Sequence, residues 1–238
     1  MPLIYKDPVV LVGGAPLAAD IFDLVSARAT FFVAADGGGD ALLANGVIPD
    51  AVFGDMDSLT AAAKAAIPAD RIHLVTEQDS TDFEKALRGI VAPLILAVGF
   101  TGARLDHELA ALHGLVRFAD RPVVLVGTED VTVHLPAHMA LHLPVGLRLS
   151  LFPLDEVTVG MAGLVWSFDA LNLHPARQIG TSNEVSRPDV VLTSDGPGAL
   201  LIVPLEAMDA VIAGLAAADF HSPHRCGSVK EGTPAATE

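Results

Sequence analysis

The sequence predicts an α/β fold, in which a mainly parallel sheet with helices on both faces is followed by an antiparallel β-sandwich. Before residue 129, six short apolar runs alternate with segments of helical spacing, which is the pattern of βαβ units. From about Glu129 onward, apolar and polar residues alternate at a period of two, and Gly and Pro interrupt the runs. We therefore place an α/β domain at 1–128 and a β-sandwich domain at 129–220. The polar, breaker-rich tail 221–238 is expected to be disordered.

The apolar runs that predict strands of the parallel sheet cover 9–12, 31–35, 51–54, 72–75, 94–98 and 123–126. Between them, helices are expected up to about Arg28, over 40–45, over 60–66, from Thr81 onward and in the segment that follows 94–98. In that last helix, Leu105, Leu109, Leu112 and Val116 recur at helical spacing and are predicted to form its buried stripe. A short helix over 205–218 closes the sandwich domain.

Composition excludes several classes of protein. Of the 238 residues 51% are hydrophobic, so the chain buries a substantial core. The net charge of −15 repels nucleic acid backbones and anionic lipid, so neither is an expected partner. Cys226 is the only cysteine, which fits a reducing compartment. The first apolar run is too short for a signal peptide and no run reaches membrane-spanning length, so we expect a soluble, cytoplasmic protein.

Two predicted strands end in Gly and Asp, and the ends of parallel strands line up along one edge of a sheet. The second strand delivers Asp36, and the third delivers Asp55, Asp57 and Ser58. Residues two apart on an extended backbone point to the same side, so the last two carboxylates converge. Like charges that close need a proton or a cation between them, and Mg²⁺ prefers such oxygen ligands. A surface turn is the alternative for this motif taken alone.

Two further strand exits carry polar clusters. Thr81 with Glu84 three residues later forms a capping box, which places Asp82 in the first turn of a helix. Helix capping does not explain why three more polar residues, Gln78, Asp79 and Ser80, lie at the same strand exit. Their presence favours a polar site there. Arg104 and Asp106 follow the fifth strand; they either pair at a helix end or bring phosphate-binding charge to the same edge.

Two features of the sandwich domain also stand out. The segment GTSNE, residues 180–184, holds more hydrogen-bonding groups than a turn needs, although a capped turn is the default interpretation. Trp166 is the only tryptophan, and it is expected to share a strand face with Leu164 and Phe168. It is therefore at least as compatible with the core as with a stacking platform for a ligand.

Taken in order, six motifs resemble the thiamine pyrophosphokinase family. They are ADGG at 35–38, PDAVFGDMDS at 49–58, QDSTDFEKAL at 78–87, GARLDHELAAL at 102–112, GLVW at 163–166 and GTSNE at 180–184. The resemblance implies an α/β catalytic domain, a β-sandwich that holds thiamine, and a homodimer. It also implies transfer of a diphosphate from ATP to the hydroxyl of thiamine, with Mg²⁺, and release of AMP. The third glycine, Gly39, departs from the family pattern and is expected to loosen the loop after Asp36.

That chemistry requires positioning and charge neutralisation, and it gives the singled-out residues expected roles. Asp55, Asp57 and Asp82 are the expected metal ligands, and Asp106 either orients or deprotonates the attacking hydroxyl or binds metal. Lys85 and Arg104 are expected to stabilise phosphate charge, with Gln78 where acceptor and phosphates meet. The expected ATP-binding residues are Asp36, Gly37, Gly38, Asp55, Ser58 and Thr81. The expected thiamine-binding residues are Thr181, Ser182, Asn183 and Trp166.

Other functions remain as alternatives from the sequence. A diphosphokinase of related fold acting on a hydroxymethylpterin would use the same chemistry, but it would have no use for GTSNE after GLVW. A non-catalytic sensor of nucleotide or thiamine diphosphate predicts missing catalytic carboxylates, whereas all four candidate aspartates are present. A bare Mg²⁺-dependent phosphohydrolase would leave the second domain unexplained.

Overall fold

The computed structural model describes residues 1–221, which form three sheets and six α-helices. The strands are β1 (Leu3–Ile4), β2 (Val9–Val12), β3 (Phe31–Ala35), β4 (Ala51–Gly54), β5 (Ile72–Leu74), β6 (Ile90–Val91), β7 (Ile95–Val98), β8 (Val123–Val126), β9 (Asp130–His134), β10 (His138–His142), β11 (Arg148–Pro153), β12 (Val157–Ala162), β13 (Phe168–Leu173), β14 (Gly180–Glu184), β15 (Asp189–Ser194) and β16 (Ala199–Pro204). The helices are α1 (Ala19–Ser26), α2 (Gly38–Ala44), α3 (Ala61–Ala66), α4 (Asp82–Gly89), α5 (Leu105–Arg117) and α6 (Met208–Ala216).

The main sheet has ten strands in the order β14-β11-β16-β9-β8-β7-β2-β3-β4-β5. Its parallel part, β8 to β5, contains the six strands that the apolar runs predict. Because both faces of these strands are covered, one apolar cluster holds residues of α1, α2 and α3 and the other holds residues of α4 and α5. Among the parallel strands, the sequence pattern missed the short pair β1 and β6.

The antiparallel part does not begin a separate sheet. Strand β9 pairs with β8 through Leu125–Thr132 and Val126–Val131, so hydrogen bonding continues across the predicted boundary at residue 129. A second sheet, β10-β15-β12-β13, completes the sandwich, and its core is continuous with that under α1 to α3. The mixed fold class is thus confirmed. The main sheet and one apolar cluster both continue across the predicted domain boundary near residue 129. The division into two domains therefore stays a prediction.

Several local predictions were wrong. The stripe on α5 is buried only in its second half: Leu112 and Val116 are partly buried against the core, whereas Leu105 and Leu109 are 69% and 54% exposed. The fully buried residues of the helix are Ala111, Gly114 and Leu115. GTSNE is not a turn, because it forms strand β14. The run 164–168 is mostly a loop, and Trp166 lies outside the core with 57% of its surface exposed.

The N-terminus of α4 is capped as predicted, but only by half of a capping box. The Thr81 hydroxyl accepts from the Glu84 N–H at 3.3 Å. The Glu84 carboxylate is buried and binds Arg117 at 3.1 Å, so it faces α5 rather than the Thr81 backbone. The predicted tail lies outside the described residues except for His221, whose ring is 6.0 Å from that of His134. None of the helices within residues 1–221 has the length and apolarity needed to cross a bilayer.

Candidate active site

Three carboxylates meet at the carboxyl ends of β3 and β4. Asp36 follows β3 directly, and Asp55 and Asp57 follow β4. Each of the three offers an oxygen that lies within 4.8 Å of the others'. Asp36 is 2% exposed, and its Oδ1 has no hydrogen-bond partner among residues 1–221. An unpartnered, buried carboxylate oxygen beside two other carboxylates indicates a place for a cation.

The surroundings shift the pKa values of these carboxyl groups in opposite directions. Burial, supported by the neighbouring carboxylates of Asp57 and Asp82, raises the pKa of Asp36 to about 6, although the Ser58 N–H lowers it. The Gln78 amide, the Asp57 N–H and the Lys85 ammonium hold the pKa of Asp55 below its usual value. The group therefore combines a carboxylate that is costly to charge with one that is stabilised in its charged form.

Hydrogen bonds from neighbouring segments fix this group. The Ser58 N–H donates to Asp36 Oδ2 at 3.2 Å, and the Ser58 hydroxyl donates to Asp57 Oδ1 at 2.9 Å. Gln78 Nε2 donates to Asp55 Oδ2 at 3.1 Å. Lys85 is almost fully buried, and its ammonium lies 3.1 Å from Asp82 Oδ1 and 3.6 Å from Asp55 Oδ2. Burial lowers the pKa of Lys85, but its carboxylate contacts outweigh burial and the net pKa is raised.

The backbone is strained where it places these side chains. Among residues 1–221, the non-glycine residues with positive φ are Asp36 (42°), Met56 (64°) and Ser182 (60°). Such a conformation costs roughly 1–2 kcal/mol for a residue other than glycine. Met56 lies between the two aspartates that follow β4, and Ser182 lies in GTSNE. All three outliers therefore fall in segments that the sequence singled out, which is where strain tends to persist.

The structure brings the predicted metal ligands together, except that Asp36 takes the place of Asp82 in the group. Asp55 and Asp57 belong to the three-carboxylate group, and its third member is Asp36, which the sequence assigned to ATP. Asp82 borders the group, since a Cβ on Gly54 would lie 3.2 Å from its Oδ1, but its carboxylate is paired with Lys85. The donor set fits Mg²⁺ because it consists of carboxylate oxygens, one of them unpartnered and buried. Asp36, Asp55 and Asp57 would hold the ion, with Asp82 beside them.

Arg104 and Asp106 form an exposed pair at the start of α5. Arg104 Nη2 lies 2.7 Å from Asp106 Oδ2, and its Nε lies 3.2 Å from Oδ1. The guanidinium lowers the pKa of the Asp106 carboxyl. Both side chains are about two-thirds exposed, so the pair stands at the sheet edge without joining the buried carboxylate network.

A cleft of about 710 Å³ lies at the same edge of the sheet, beside the acidic group's neighbouring strand exits and not lined by its carboxylates. It is lined by the segments that follow β2, β7 and β8, including Leu17, Thr101 and Thr128. The chain leaves β2 toward β3 on one side and returns as β7 on the other, so the cleft lies at the point where the strand order reverses. Ligands of open α/β sheets bind at such points.

Glycines allow the strand exits to approach one another. A Cβ on Gly38 would lie 2.0 Å from the Val12 carbonyl oxygen, so glycine is required there for α2 to pack against β2. Gly37 has only ordinary contacts, the nearest being 3.4 Å from its ideal Cβ to that of Ser58. Gly39 does not loosen the loop, contrary to expectation. It lies buried in α2, where a Cβ would be 2.6 Å from Leu59 Cδ1.

The predicted thiamine-binding residues meet at the opposite end of the main sheet. Asn183 is buried, and its side chain clamps the loop that carries Trp166: Oδ1 accepts from the Trp166 N–H at 3.2 Å, and Nδ2 donates to the Trp166 carbonyl at 2.8 Å. Thr181 and Ser182 are exposed, and the Ser182 N–H donates to Ser150 Oγ at 2.9 Å. The indole is thus held by its backbone with its face available for stacking.

These two regions are far apart within one chain. Strands β14 and β4 stand first and ninth in the sheet order, so eight strand spacings of about 4.8 Å separate them, roughly 38 Å along the sheet. No single small molecule spans that distance. The structure therefore brings together the members of each predicted site but does not bring the two sites to one place in a single chain.

Sequence reasoning missed two features of the acidic site. The first is the membership of Asp36, which was signalled only by its position directly after a buried strand. The second is Lys64 of α3, whose ammonium donates to the Met56 carbonyl at 2.6 Å. Nothing in the sequence around Lys64, a lysine in an Ala-rich helix, predicts this contact. The contact depends on the backbone conformation of Met56, which the sequence does not reveal.

Comparison with known proteins agrees with this geometry. Residues 22–126 match the model of the thiamin pyrophosphokinase catalytic domain. Thiamine pyrophosphokinase 1 of Oryza sativa subsp. japonica is 28% identical over 166 residues, which cover 62% of this chain and 63% of that protein. Thiamin pyrophosphokinase 1 of Caenorhabditis elegans is 27% identical over 188 residues, covering 70% and 76%. The chain thus spans somewhat less than two thirds of the rice relative and about three quarters of the nematode one.

A solved structure extends the match beyond the catalytic region. The thiamin pyrophosphokinase of Geobacillus thermodenitrificans superposes with a TM-score of 0.69 at 27% identity, covering 83% of this chain and 96% of that one. The similarity therefore includes the antiparallel part that carries GTSNE, as well as the acidic edge of the parallel part. The catalytic region, the relatives and the fold of the chain thus all indicate the thiamin pyrophosphokinase family of enzymes.

Proposed function

We propose that this protein transfers a diphosphate group from ATP to the hydroxyl of thiamine, giving thiamine diphosphate and AMP. The observation that carries the proposal is the three-carboxylate group of Asp36, Asp55 and Asp57, with the Lys85 ammonium beside it. One buried oxygen of the group has no hydrogen-bond partner within the described part of the chain. Diphosphate transfer needs such a combination, because a cation and fixed positive charges must neutralise the phosphate oxygens. The single cysteine supports a cytoplasmic location, as predicted from the sequence.

Mg²⁺, when bound by these carboxylates, supplies charge neutralisation for the phosphates of ATP. The thiamine oxygen attacks the β-phosphorus, the bond to the bridging oxygen breaks, and AMP leaves with that oxygen while the hydroxyl proton is lost to water. Lys85 is fixed by Asp82 and Asp55, so its ammonium is pre-positioned toward the same charge. Asp106 has a lowered pKa and is held by Arg104, which favours orienting the hydroxyl over taking its proton.

The nucleoside of ATP fits the cleft beside the acidic group. The cleft is lined by the carboxylates of Glu108, Glu129 and Asp130, which repel phosphate but accept hydrogen bonds from ribose hydroxyls and the adenine amine. Its end at Pro16 adjoins the exits of β2 and β3, where Gly14 and Gly37 are in backbone contact. We therefore place the nucleoside in the cleft and the phosphates toward Asp36.

The complete site requires two copies of the chain. Residues of β14 and the Trp166 loop are roughly 38 Å along the sheet from β4, so a thiamine held by one copy must meet the carboxylates of another. Exposed apolar side chains occur beside β14, at Val165 and Trp166, and on α5, at Leu105 and Leu109. A twofold homodimer that joins the two patches would cover both and create two equivalent sites.

Mixing two variants, each impaired in a different half of the proposed site and assayed at low thiamine, tests this arrangement. One carries Asp57→Asn, and the other carries Ser182→Ala with Trp166→Ala. Random pairing makes half of the dimers mixed, and each mixed dimer has one intact site of two, so about a quarter of the wild-type activity should return. Sites built within one chain predict no recovery, and that result would contradict the composite site.

Product analysis tests the reaction itself. The protein is incubated with ATP, Mg²⁺ and thiamine, and thiamine diphosphate and AMP are quantified by chromatography. Equal amounts of both products are expected. A hydroxymethylpterin acceptor and a reaction without acceptor serve as controls. Product with the pterin alone would indicate the related diphosphokinase, AMP without acceptor a phosphohydrolase, and binding without turnover a sensor.

A further inference from the structure

We infer that Lys64 is a positioning residue for the metal site, acting through the backbone of Met56. The inference rests on the proposed function in one respect, namely that Asp55 and Asp57 bind a divalent cation. These two side chains converge on a loop and not on the extended backbone that the sequence suggested, and the residue between them adopts a left-handed conformation, with φ at 64°. Methionine does not favour that conformation, so something in the fold must maintain it.

Met56 is held from two sides. Its side chain is buried in the apolar cluster under α1 to α3, which fixes one side of the residue. Its carbonyl accepts a hydrogen bond from the Lys64 ammonium at 2.6 Å, which fixes the other. A charged donor makes this a stronger bond than one between neutral groups.

Lys64 reaches the carbonyl because of where α3 begins. The Thr60 side chain caps the helix by accepting from the Ala63 N–H at 3.1 Å, and Asp40 of α2 holds Thr60 through bonds of 3.0 and 2.5 Å. Lys64 stands one turn later, and helical side chains point back toward the N-terminus of their helix. The anchored start of α3 thus aims the ammonium at the loop that carries Asp55 and Asp57.

Charge and positioning predict opposite effects of removing Lys64, which makes the role testable. A positive charge near a cation site repels the cation, so charge alone predicts that Lys64→Met tightens metal binding. Loss of an anchor predicts weaker binding, because the two carboxylates no longer converge. Supporting groups of metal sites typically change affinity by about tenfold or more.

The experiment measures binding of Mn²⁺ alone to the full-length protein, by titration with detection of free Mn²⁺ by electron paramagnetic resonance. The Kd is expected to rise about tenfold in Lys64→Met and to stay near the wild-type value in Lys64→Arg, which keeps the charged donor. Lys6→Met, at an exposed lysine near the N-terminus, is the control with the same change of charge. An unchanged or lower Kd in Lys64→Met overturns the inference.

A second pair of variants isolates the backbone effect. Glycine adopts positive φ freely, so in a Met56→Gly background the further change Lys64→Met should alter the Kd much less than it does in the wild type. Loss of the Met56 side chain is common to both members of that pair. An equal change in both backgrounds would mean that Lys64 does not act through Met56, and it would overturn the inference.

Failure of the proposed function is distinguishable from failure of the inference. A wild-type protein that binds no Mn²⁺ refutes both, since the metal site is then absent. A wild-type protein that binds Mn²⁺ in a Lys64-dependent manner, yet forms no thiamine diphosphate, supports the positioning role and rejects the reaction.

Discussion

The two ends of the main sheet treat their buried polar groups differently. At the acidic end, Asp36 keeps a buried oxygen without a partner among residues 1–221, and burial raises its pKa to about 6. At the other end, both polar atoms of the buried Asn183 amide are bonded to the backbone of Trp166. The first end leaves a buried carboxylate oxygen unsatisfied among the described residues, whereas the second satisfies its buried amide and presents an exposed indole. The acidic end is therefore suited to binding a cation, and the other end is suited to stacking against a flat ligand.

The largest expected effect is at the acidic end. Asp57→Asn preserves size but removes a charge on which, in the proposed mechanism, metal and phosphate both depend, so turnover should fall at least roughly a hundredfold. Without Mg²⁺ the variant should melt at the same temperature as the wild type or higher, because repulsion among the carboxylates is reduced. Steady-state kinetics and thermal unfolding check the two expectations.

The control is Asp70→Asn, which makes the same change at an exposed aspartate in the short turn 69–71. It should affect neither turnover nor melting. Raising Mg²⁺ should recover part of the loss in Asp57→Asn. Near-normal turnover of Asp57→Asn at low Mg²⁺ would show that the acidic end does not act by binding a cation. That result would contradict the proposed mechanism.

Much of this arrangement could be predicted from the sequence, because short apolar runs bounded by Gly and Pro identify buried parallel strands and their exits. The exposed half of the α5 stripe could not, since periodicity identifies an apolar face without revealing what covers it. Leu105 and Leu109 have the spacing of a core face and lie exposed. The clamp of Asn183 on Trp166 joins residues 17 apart in the chain, and no local pattern encodes that pairing.

The next effect concerns the clamp itself. Asn183→Ala removes hydrogen bonds to the backbone N–H and carbonyl of Trp166 and leaves both groups poorly satisfied, which costs about 1–3 kcal/mol of unfolding free energy. The Trp166 loop should also lose its fixed position, so the KM for thiamine should rise while that for ATP stays nearly constant. Urea unfolding and separate substrate titrations measure the two effects. An equal rise in both KM values would show that the two ends do not divide the substrates.

A buried histidine away from both ends of the sheet also has an atom that is unpartnered in the described part of the chain, and it affects stability and not a site. His134 in β9 is 1% exposed, and its Nε2 also has no partner among residues 1–221, yet it lies in the sheet interior beside Phe220. Burial, with His221 nearby, lowers the pKa of His134 to about 3. The folded state therefore binds fewer protons than the unfolded one between about pH 3 and 6.5, and stability falls as the pH drops through that window.

Replacing His134 by Phe should remove that acid sensitivity. Between about pH 7.5 and pH 5, the wild type should lose about 2 kcal/mol of unfolding free energy more than His134→Phe, because only the wild type must keep this imidazole neutral. His142→Gln, at an exposed histidine, should retain the wild-type difference. If the His134 variant is as acid-sensitive as the wild type, burial of this ring does not set the pH dependence.

The smallest expected effect lies at the exposed surface of β14. Ser182 has a φ of 60° and an exposed side chain, so its hydroxyl is free to bind a ligand at little cost to the fold. Ser182→Ala should raise the KM for thiamine by the equivalent of about 0.5–1.5 kcal/mol, which is roughly two- to tenfold, and leave the KM for ATP unchanged. Ser182→Gly also lacks the hydroxyl but accepts the positive φ, so it should share the KM effect while unfolding at a higher temperature than Ser182→Ala. Both variants lack the hydroxyl, but only Ser182→Ala keeps a strained backbone. A KM effect confined to Ser182→Ala would therefore mean that Ser182 maintains the conformation of β14 and does not contact thiamine. Equal KM effects would assign it to thiamine.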